Sequence, residues 1–193
     1  MRKAIVTTVL SGLVIGFAAA EPVAAQAERH LIRIGFGGGF SVPTSDYRSA
    51  LENGVNGQAY LLLDPGFGFP LRFNLGYQRF DFKEAVLNAV TGQQRILSGV
   101  AGTTINLFQI GPVRPYISAG LGAFQLSTDY TGTTAPTDTS SLRFGIDGGA
   151  GLAFKLGRFE AFIEGRVQNV YTESGVIDTK TIRSVPVTFG ILF

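Results

Sequence analysis

The sequence has no cysteine, no tryptophan and a single histidine, His30. Without cysteine there is no disulfide framework and no thiolate metal site. Charge is also scarce: 16% of residues are charged, against ~25% in soluble domains. The net charge is only +2, and nothing resembles the clustered Lys and Arg of a nucleic-acid surface. No metal cluster, phosphate loop or dinucleotide fingerprint is present. No cofactor is therefore expected. Long hydrophobic runs are missing except at the N-terminus. Beyond Ala27 no segment approaches the ~20 apolar residues of a membrane-spanning helix. If the chain enters a membrane after that point, it must do so as strands.

The N-terminal run reads as a targeting segment. Arg2 and Lys3 form a short basic region, and Ala4 to Ala20 is apolar and uncharged. Ala25-Gln26-Ala27 then supplies the small-x-small pattern of a signal-peptidase site. Cleavage is expected after Ala27, with Ala18-Ala19-Ala20 as a second possible site. Residues 1–27 are thus read as a signal peptide and 28–193 as one domain, a size that suits a single domain.

From Glu28 onward the pattern has period two, the signature of half-buried strands. Val185, Val187, Phe189, Ile191 and Phe193 share one face of the last strand, and Ser184, Pro186, Thr188, Gly190 and Leu192 share the other. Leu142 to Phe154 alternates Leu, Phe, Ile and Ala with Arg143, Gly145, Asp147, Gly149 and Gly151. Ile32, Ile34, Phe36 and Phe40 alternate with Arg33 and glycines. Leu71, Phe73, Leu75 and Tyr77 alternate with Arg72, Asn74, Gly76 and Gln78. Phe159, Ala161, Ile163 and Val167 oppose Glu160, Phe162, Glu164, Arg166 and Gln168. Three further strands lie around Gly57 to Asp64, Gln93 to Gln109 and Pro115 to Tyr130. In the last of these, Phe124 and Leu126 break the small-inward register, which suggests a bulge.

The connections alternate in length. Gly66-Phe67-Gly68, Gly111-Pro112-Val113 and Leu156-Gly157 mark short turns. Ser41 to Asn56, Lys83 to Gly92, Asp129 to Ser141 and Thr172 to Lys180 are longer and more polar. The expected fold is all-β, an eight-stranded antiparallel up-and-down transmembrane β-barrel. Period two alone also fits a soluble barrel with its apolar face inward. The polar face here is mostly Gly, Ser, Thr and Asn, which suits a narrow interior. Phe40, Tyr77, Tyr116, Phe154, Phe159, Tyr171 and Phe193 recur near strand ends, as aromatic girdles do. The lack of Trp also separates the chain from lipocalin-like barrels. A closed barrel satisfies every backbone group within hydrocarbon.

Arg114-Pro115-Tyr116-Ile117-Ser118-Ala119-Gly120-Leu121-Gly122 resembles the fifth-strand motif of the OmpA/OmpX-like outer-membrane β-barrel domain family. Gly149-Ala150-Gly151-Leu152 and Phe162-Ile163-Glu164-Gly165-Arg166 resemble its sixth and seventh strands. Val185 to Phe193 resembles its closing strand, in which Pro at the position of Pro186 is frequent. The resemblance implies location in the bacterial outer membrane, contact with its lipid, and use of the barrel-assembly machinery. It implies that Phe193, with Ile191 and Phe189, carries the assembly signal.

The inward ionisable residues are the sharpest chemical feature. A turn centred on Leu156-Gly157 sets Asp147 opposite Arg166 and Gly149 opposite Glu164. Arg33, Arg72 and Arg143 are candidates to join them in one interior ion network, because a confined charge is costly unless paired. Such a network plugs the barrel, or it gates ions when pairs exchange. Lipid-modifying chemistry needs a nucleophile with a base, and His30 sits at the rim away from an outer-leaflet substrate. The expected role is non-enzymatic, structural or in surface interaction through the long loops, as a monomer. A narrow ion-conducting pore is the alternative, and a lipid-modifying enzyme a disfavoured third. The loops hold Tyr47, Arg48, Lys83, Glu84, Asp129, Asp138, Glu173 and Asp178, without a spacing that names a partner.

Overall fold

In the computed structural model the described residues are 31–44, 47–66, 69–83, 91–131, 139–171 and 181–193. They form β1 (Ile32–Thr44), a one-turn helix α1 (Tyr47–Ala50), β2 (Gly54–Leu63), β3 (Leu71–Asp81), β4 (Thr91–Asn106), β5 (Val113–Thr131), β6 (Thr139–Leu156), β7 (Phe159–Tyr171) and β8 (Thr181–Leu192). Each strand pairs with its sequence neighbours, and β1 pairs antiparallel with β8, closing the barrel in the order β1 to β8. Closure gives every described strand a hydrogen-bonded neighbour on both sides. Residues 1–27, read above as a signal peptide, and His30, Glu84, Asp138, Glu173 and Asp178 lie outside the described residues.

Alternation turns the barrel inside out relative to a soluble protein. Phe36, Phe73, Leu75, Leu121, Phe144, Ile146, Phe189 and Ile191 are exposed on the outer wall. Gln58, Asn74, Gln78, Glu164, Arg166, Gln168 and Thr188 are buried inside. This distribution suits a hydrocarbon surround, where the apolar wall meets lipid and the polar side chains satisfy one another.

Three of the connections are short, and each holds a glycine at positive φ: Gly66 (82°), Gly111 (57°) and Gly157 (67°). Non-glycine residues rarely adopt that conformation. In the β6–β7 hairpin, Gly157 is the first of two turn residues, because Leu156 pairs with Phe159. The pairing is therefore displaced by two residues from the one expected for a turn centred on Leu156-Gly157. Asp147 faces Gln168, Gly149 faces Arg166, Gly151 faces Glu164, and Lys155 faces Glu160. A two-residue hairpin with its positive-φ glycine in the first central position requires this register.

β5 carries no bulge. Its pairing with β4 and with β6 runs in unbroken step through Phe124 and Leu126. Both side chains point inward and are buried, so they continue the inward face that runs through Ser118, Gly120 and Gly122. Tyr116 is also buried inside, and so is not part of an aromatic girdle. Phe40, Tyr77, Phe159, Tyr171 and Phe193 are exposed on the outer wall. Pro186 is mid-strand and fully buried, opposite Ser41 of β1. On its other side the β7–β8 ladder skips Arg166 and Val167, then resumes in step. The missing proline N–H thus removes ladder pairing locally without a bulge.

Large inward side chains are seated against small ones. A Cβ on Gly145 would lie 2.8 Å from the Phe124 ring, one on Gly151 would lie 2.5 Å from the Tyr116 ring, and one on Gly190 would run into the Phe162 ring. These close approaches explain much of the glycine on the inward face: small residues are the sockets for the large inward rings.

Candidate functional site

The interior divides into layers along the barrel axis. Toward the short turns lies an apolar cluster of Tyr60, Leu62, Tyr116, Ala153, Phe162 and Leu192. Tyr60 meets Phe162 edge to face, with ring centroids 5.3 Å apart. Toward the long loops lies a second cluster, built on Phe80, Ile96, Val100, Phe124, Leu126, Val170 and Ile182. Leu51 belongs to this second cluster. It follows α1 and is carried over the barrel mouth, where it bridges to Phe82. Lys83 holds the same loop by donating from Nζ to the Arg48 carbonyl at 2.7 Å.

Between these clusters sits a buried polar layer. Glu164, from the centre of β7, is 0% exposed. It accepts from both arms of Arg72, at 2.7 Å to Oε1 and 2.5 Å to Oε2. Ser118 of β5 donates to the same Oε1 at 2.8 Å. This two-pronged geometry is the strong form of an arginine–carboxylate contact. The Arg72 guanidinium also lies over the Tyr60 ring, 4.6 Å from its centroid, within cation–π range.

The second pair is Arg166 with Asp147. The two residues are not directly opposite, but they share the inward face of adjacent strands on a diagonal. A diagonal neighbour is still within reach of a long side chain. Arg166 can lie there because Gly149, its direct partner, has no side chain; a Cβ at Gly149 would sit 2.6 Å from the Arg166 Cγ. Two cations and two carboxylates thus face one another in this layer, and their formal charges cancel.

Neutral amides stitch the pairs together. Gln58 Oε1 accepts from Arg166 Nη1 (3.1 Å), Asn74 Nδ2 (2.7 Å) and the Tyr60 hydroxyl (3.0 Å). Gln58 Nε2 donates to Thr188 (3.1 Å), whose hydroxyl donates to Asn56 Oδ1 (2.9 Å). Toward the long-loop end, Gln78 donates to Gln168 at 2.5 Å, and Ser184 donates to Gln78 at 3.3 Å. The sequence reading missed Gln58, Tyr60 and Thr188 as parts of the layer. Their signal was position on the inward alternation, and for Gln58 and Tyr60 it needed the register of β2.

Two candidate arginines lie elsewhere. Arg33 belongs to a separate group at the short-turn mouth. There Glu160 is shared between Arg33, at 3.6 Å, and Arg114. Arg143 is on the inward face of β6 opposite Phe124, near the long loops. Its Nε is buried without a partner among the described residues. The six candidates therefore form two matched pairs, one mouth arginine and one arginine set apart.

The short-turn mouth opens into a hollow of ≈ 510 Å³ lined by Arg33, Arg114, Glu160 and Leu192 among others, and the space narrows beyond it. Between the mouth group and the Arg72–Glu164 pair is a cavity of ≈ 30 Å³ bounded by Tyr60, Tyr116 and Phe162, with room for a water or two. No group of three or more His, Cys, Asp or Glu residues among those described could hold a metal ion.

An antiparallel barrel closed on itself, apolar outside and with a paired polar layer inside, is the architecture of outer-membrane proteins. The outer membrane protein beta-barrel domain family matches residues 10–185 of the chain. The chain belongs to that family. It is a protein of the bacterial outer membrane and sits in its lipid. Among solved structures, it is similar to Neisserial surface protein A, with a TM-score of 0.60 and 16% identity, over 83% of this chain and 95% of that one. It is also similar to a major outer membrane protein from Thermus thermophilus, with a TM-score of 0.53 and 15% identity, over 84% of this chain and 97% of that one. At these identities the likeness is one of fold. A search of curated proteins by sequence found no match.

Proposed function

We propose that this family member is a non-catalytic outer-membrane barrel whose interior is a structural plug and whose four long loops face outward as a surface for interaction. The observation that carries the reading is the balanced interior: Arg72 with Glu164 and Arg166 with Asp147, held by amides between two apolar clusters. An ion path would need water through both clusters. The side chains that close them, Phe124 and Phe80 at one end and Tyr116 and Phe162 at the other, are all buried. In this reading residues 1–27 are the export leader and 28–193 the barrel domain, which works as a monomer. Phe189, Ile191 and Phe193 make an exposed aromatic and aliphatic strip on the outer wall. That strip is the surface offered to the assembly machinery.

The absence of native cysteine makes the topology directly testable. Single cysteines at Asp138 or Asp178 are expected to react with a membrane-impermeant maleimide on intact cells, and one at Arg158 only after lysis. Adding Phe193→Ser and Ile191→Ser to the Asp138→Cys reporter should remove most of the surface label. Labelling of Arg158→Cys on intact cells would invert the orientation. Undiminished label in the triple variant would remove the assembly role from the strip.

A further inference from the structure

The outer wall is not uniform. From β2 to the edge of β6 at Leu142 it carries a groove of ≈ 550 Å³ whose lining is almost wholly apolar. Its floor is Gly57, Gly99 and Ala123, and its walls are Leu75, Tyr77 and Leu97. Two adjacent rungs of the sheet make it: Gly57 pairs with Tyr77, which pairs with Leu97, and on the next rung Leu75 pairs with Gly99, which pairs with Ala123. The glycines are not needed for backbone packing here. A Cβ on Gly57 would meet nothing within 4 Å, and one on Gly99 would meet only the tip of Leu75, at 3.8 Å. Inward glycines such as Gly145 and Gly151 fit close against a neighbouring side chain, so these outward ones leave an open furrow by contrast.

One rung further toward the long loops, Arg79 and Arg95 are direct cross-strand partners on the same outer face. Like charges placed directly opposite repel. Arg79 has Asp81 at 3.5 Å and Arg95 has Asp129, and both acids lie on the loop side. These pairs are exposed, and exposed ion pairs are weak. Arg79 is eight residues above Leu71 in β3, a height of roughly 20 Å at ~3.3 Å per residue and ~40° of tilt. That is near the upper limit of a ~25 Å apolar band, where lipid headgroups begin.

We propose that this wall holds one lipid bearing a terminal phosphate monoester, with an acyl chain in the furrow and the phosphate between Arg79 and Arg95. The monoester is favoured because it carries up to two charges, matching two guanidinium forks at once. A phosphodiester carries one. Neither the closed interior nor the loops take part, so this binding is separate from the roles proposed above.

The test is native mass spectrometry of the full barrel in detergent micelles, with phosphatidic acid and phosphatidylglycerol of identical acyl chains as probes. Wild type is expected to retain phosphatidic acid several-fold over phosphatidylglycerol. Arg79→Gln with Arg95→Gln should abolish phosphatidic acid retention, as should Gly57→Leu with Gly99→Leu, which fills the furrow. Arg183→Gln, an exposed outward arginine on β8, should retain it as wild type does. Heat-shifted gel mobility of each variant confirms that the barrel itself is intact. Equal retention of the two probes by wild type, or undiminished phosphatidic acid retention in either double variant, would overturn the proposal.

Discussion

Replacing Glu164 with alanine is expected to lower the stability of the barrel by about 3–5 kcal/mol, measured by urea unfolding in lipid vesicles. Glu164 has no solvent exposure, and its two oxygens take both arms of Arg72 and the Ser118 hydroxyl. Without it, Arg72 keeps the Tyr60 ring as its neighbour but no carboxylate. Most of the loss is the cost of an uncompensated buried charge, not the net worth of the pair. The double substitution Arg72→Met, Glu164→Leu should therefore recover most of the lost stability. A double variant as unstable as the sum of its single variants would show that the two residues are uncoupled. The same cycle applies to Asp147 and Arg166, which differ in reaching one another on a diagonal. Their coupling should survive changes at Gln168, the residue directly opposite Asp147.

The second large effect is expected at Phe124, where substitution by alanine should cost about 3–5 kcal/mol. Its ring is fully buried among Phe80, Ile96, Val170 and Ile182, in a socket left by Gly145. No lipid can reach the vacated volume. Phe144 of β6 is exposed on the outer wall, and lipid fills the space its removal leaves. Phe144→Ala should accordingly cost much less in the same unfolding measurement. Equal losses at the two positions would contradict an apolar plug inside the barrel.

The fold is legible in the sequence because a membrane barrel repeats one rule. Alternation of the kind seen from Val185 to Phe193 sets both strand and facing, and glycine at a short connection marks a turn. Eight such segments with alternating connections leave few architectures open. The rule misleads where it is applied too literally. Phe124 and Leu126 look like a break in register only if the lumen is uniformly polar. The lumen is polar in its middle and apolar toward both ends, so large apolar residues belong on the inward face there. Tyr116 resembles a girdle aromatic in the sequence for the same reason.

The site is partly legible. Arg72, Asp147, Glu164 and Arg166 all fall on the inward face by alternation, and all four are buried. Which carboxylate meets which arginine depends on register, and the β6–β7 register turns on a two-residue choice at Gly157. Placing the positive-φ glycine first in the turn sets it correctly. Arg33 could not be assigned from its strand alone, because its partner Glu160 comes from β7 and its neighbour Arg114 from β5. The amide hub at Gln58 is illegible for a related reason: neutral polar residues gain meaning only when several strands converge on them. Pro186 shows the opposite case. The conflict between a proline and a central strand is visible in the sequence, and the local gap in the β7–β8 ladder is how the structure accommodates it.

The claim that the interior is a closed plug is tested most directly by conductance of the purified, folded protein in a planar lipid bilayer. The paired charges of the polar layer and the apolar clusters on either side of it predict a flat baseline without discrete current steps. Reproducible single-channel steps that change when Arg72 or Glu164 is substituted would contradict the plug and make the interior an ion path.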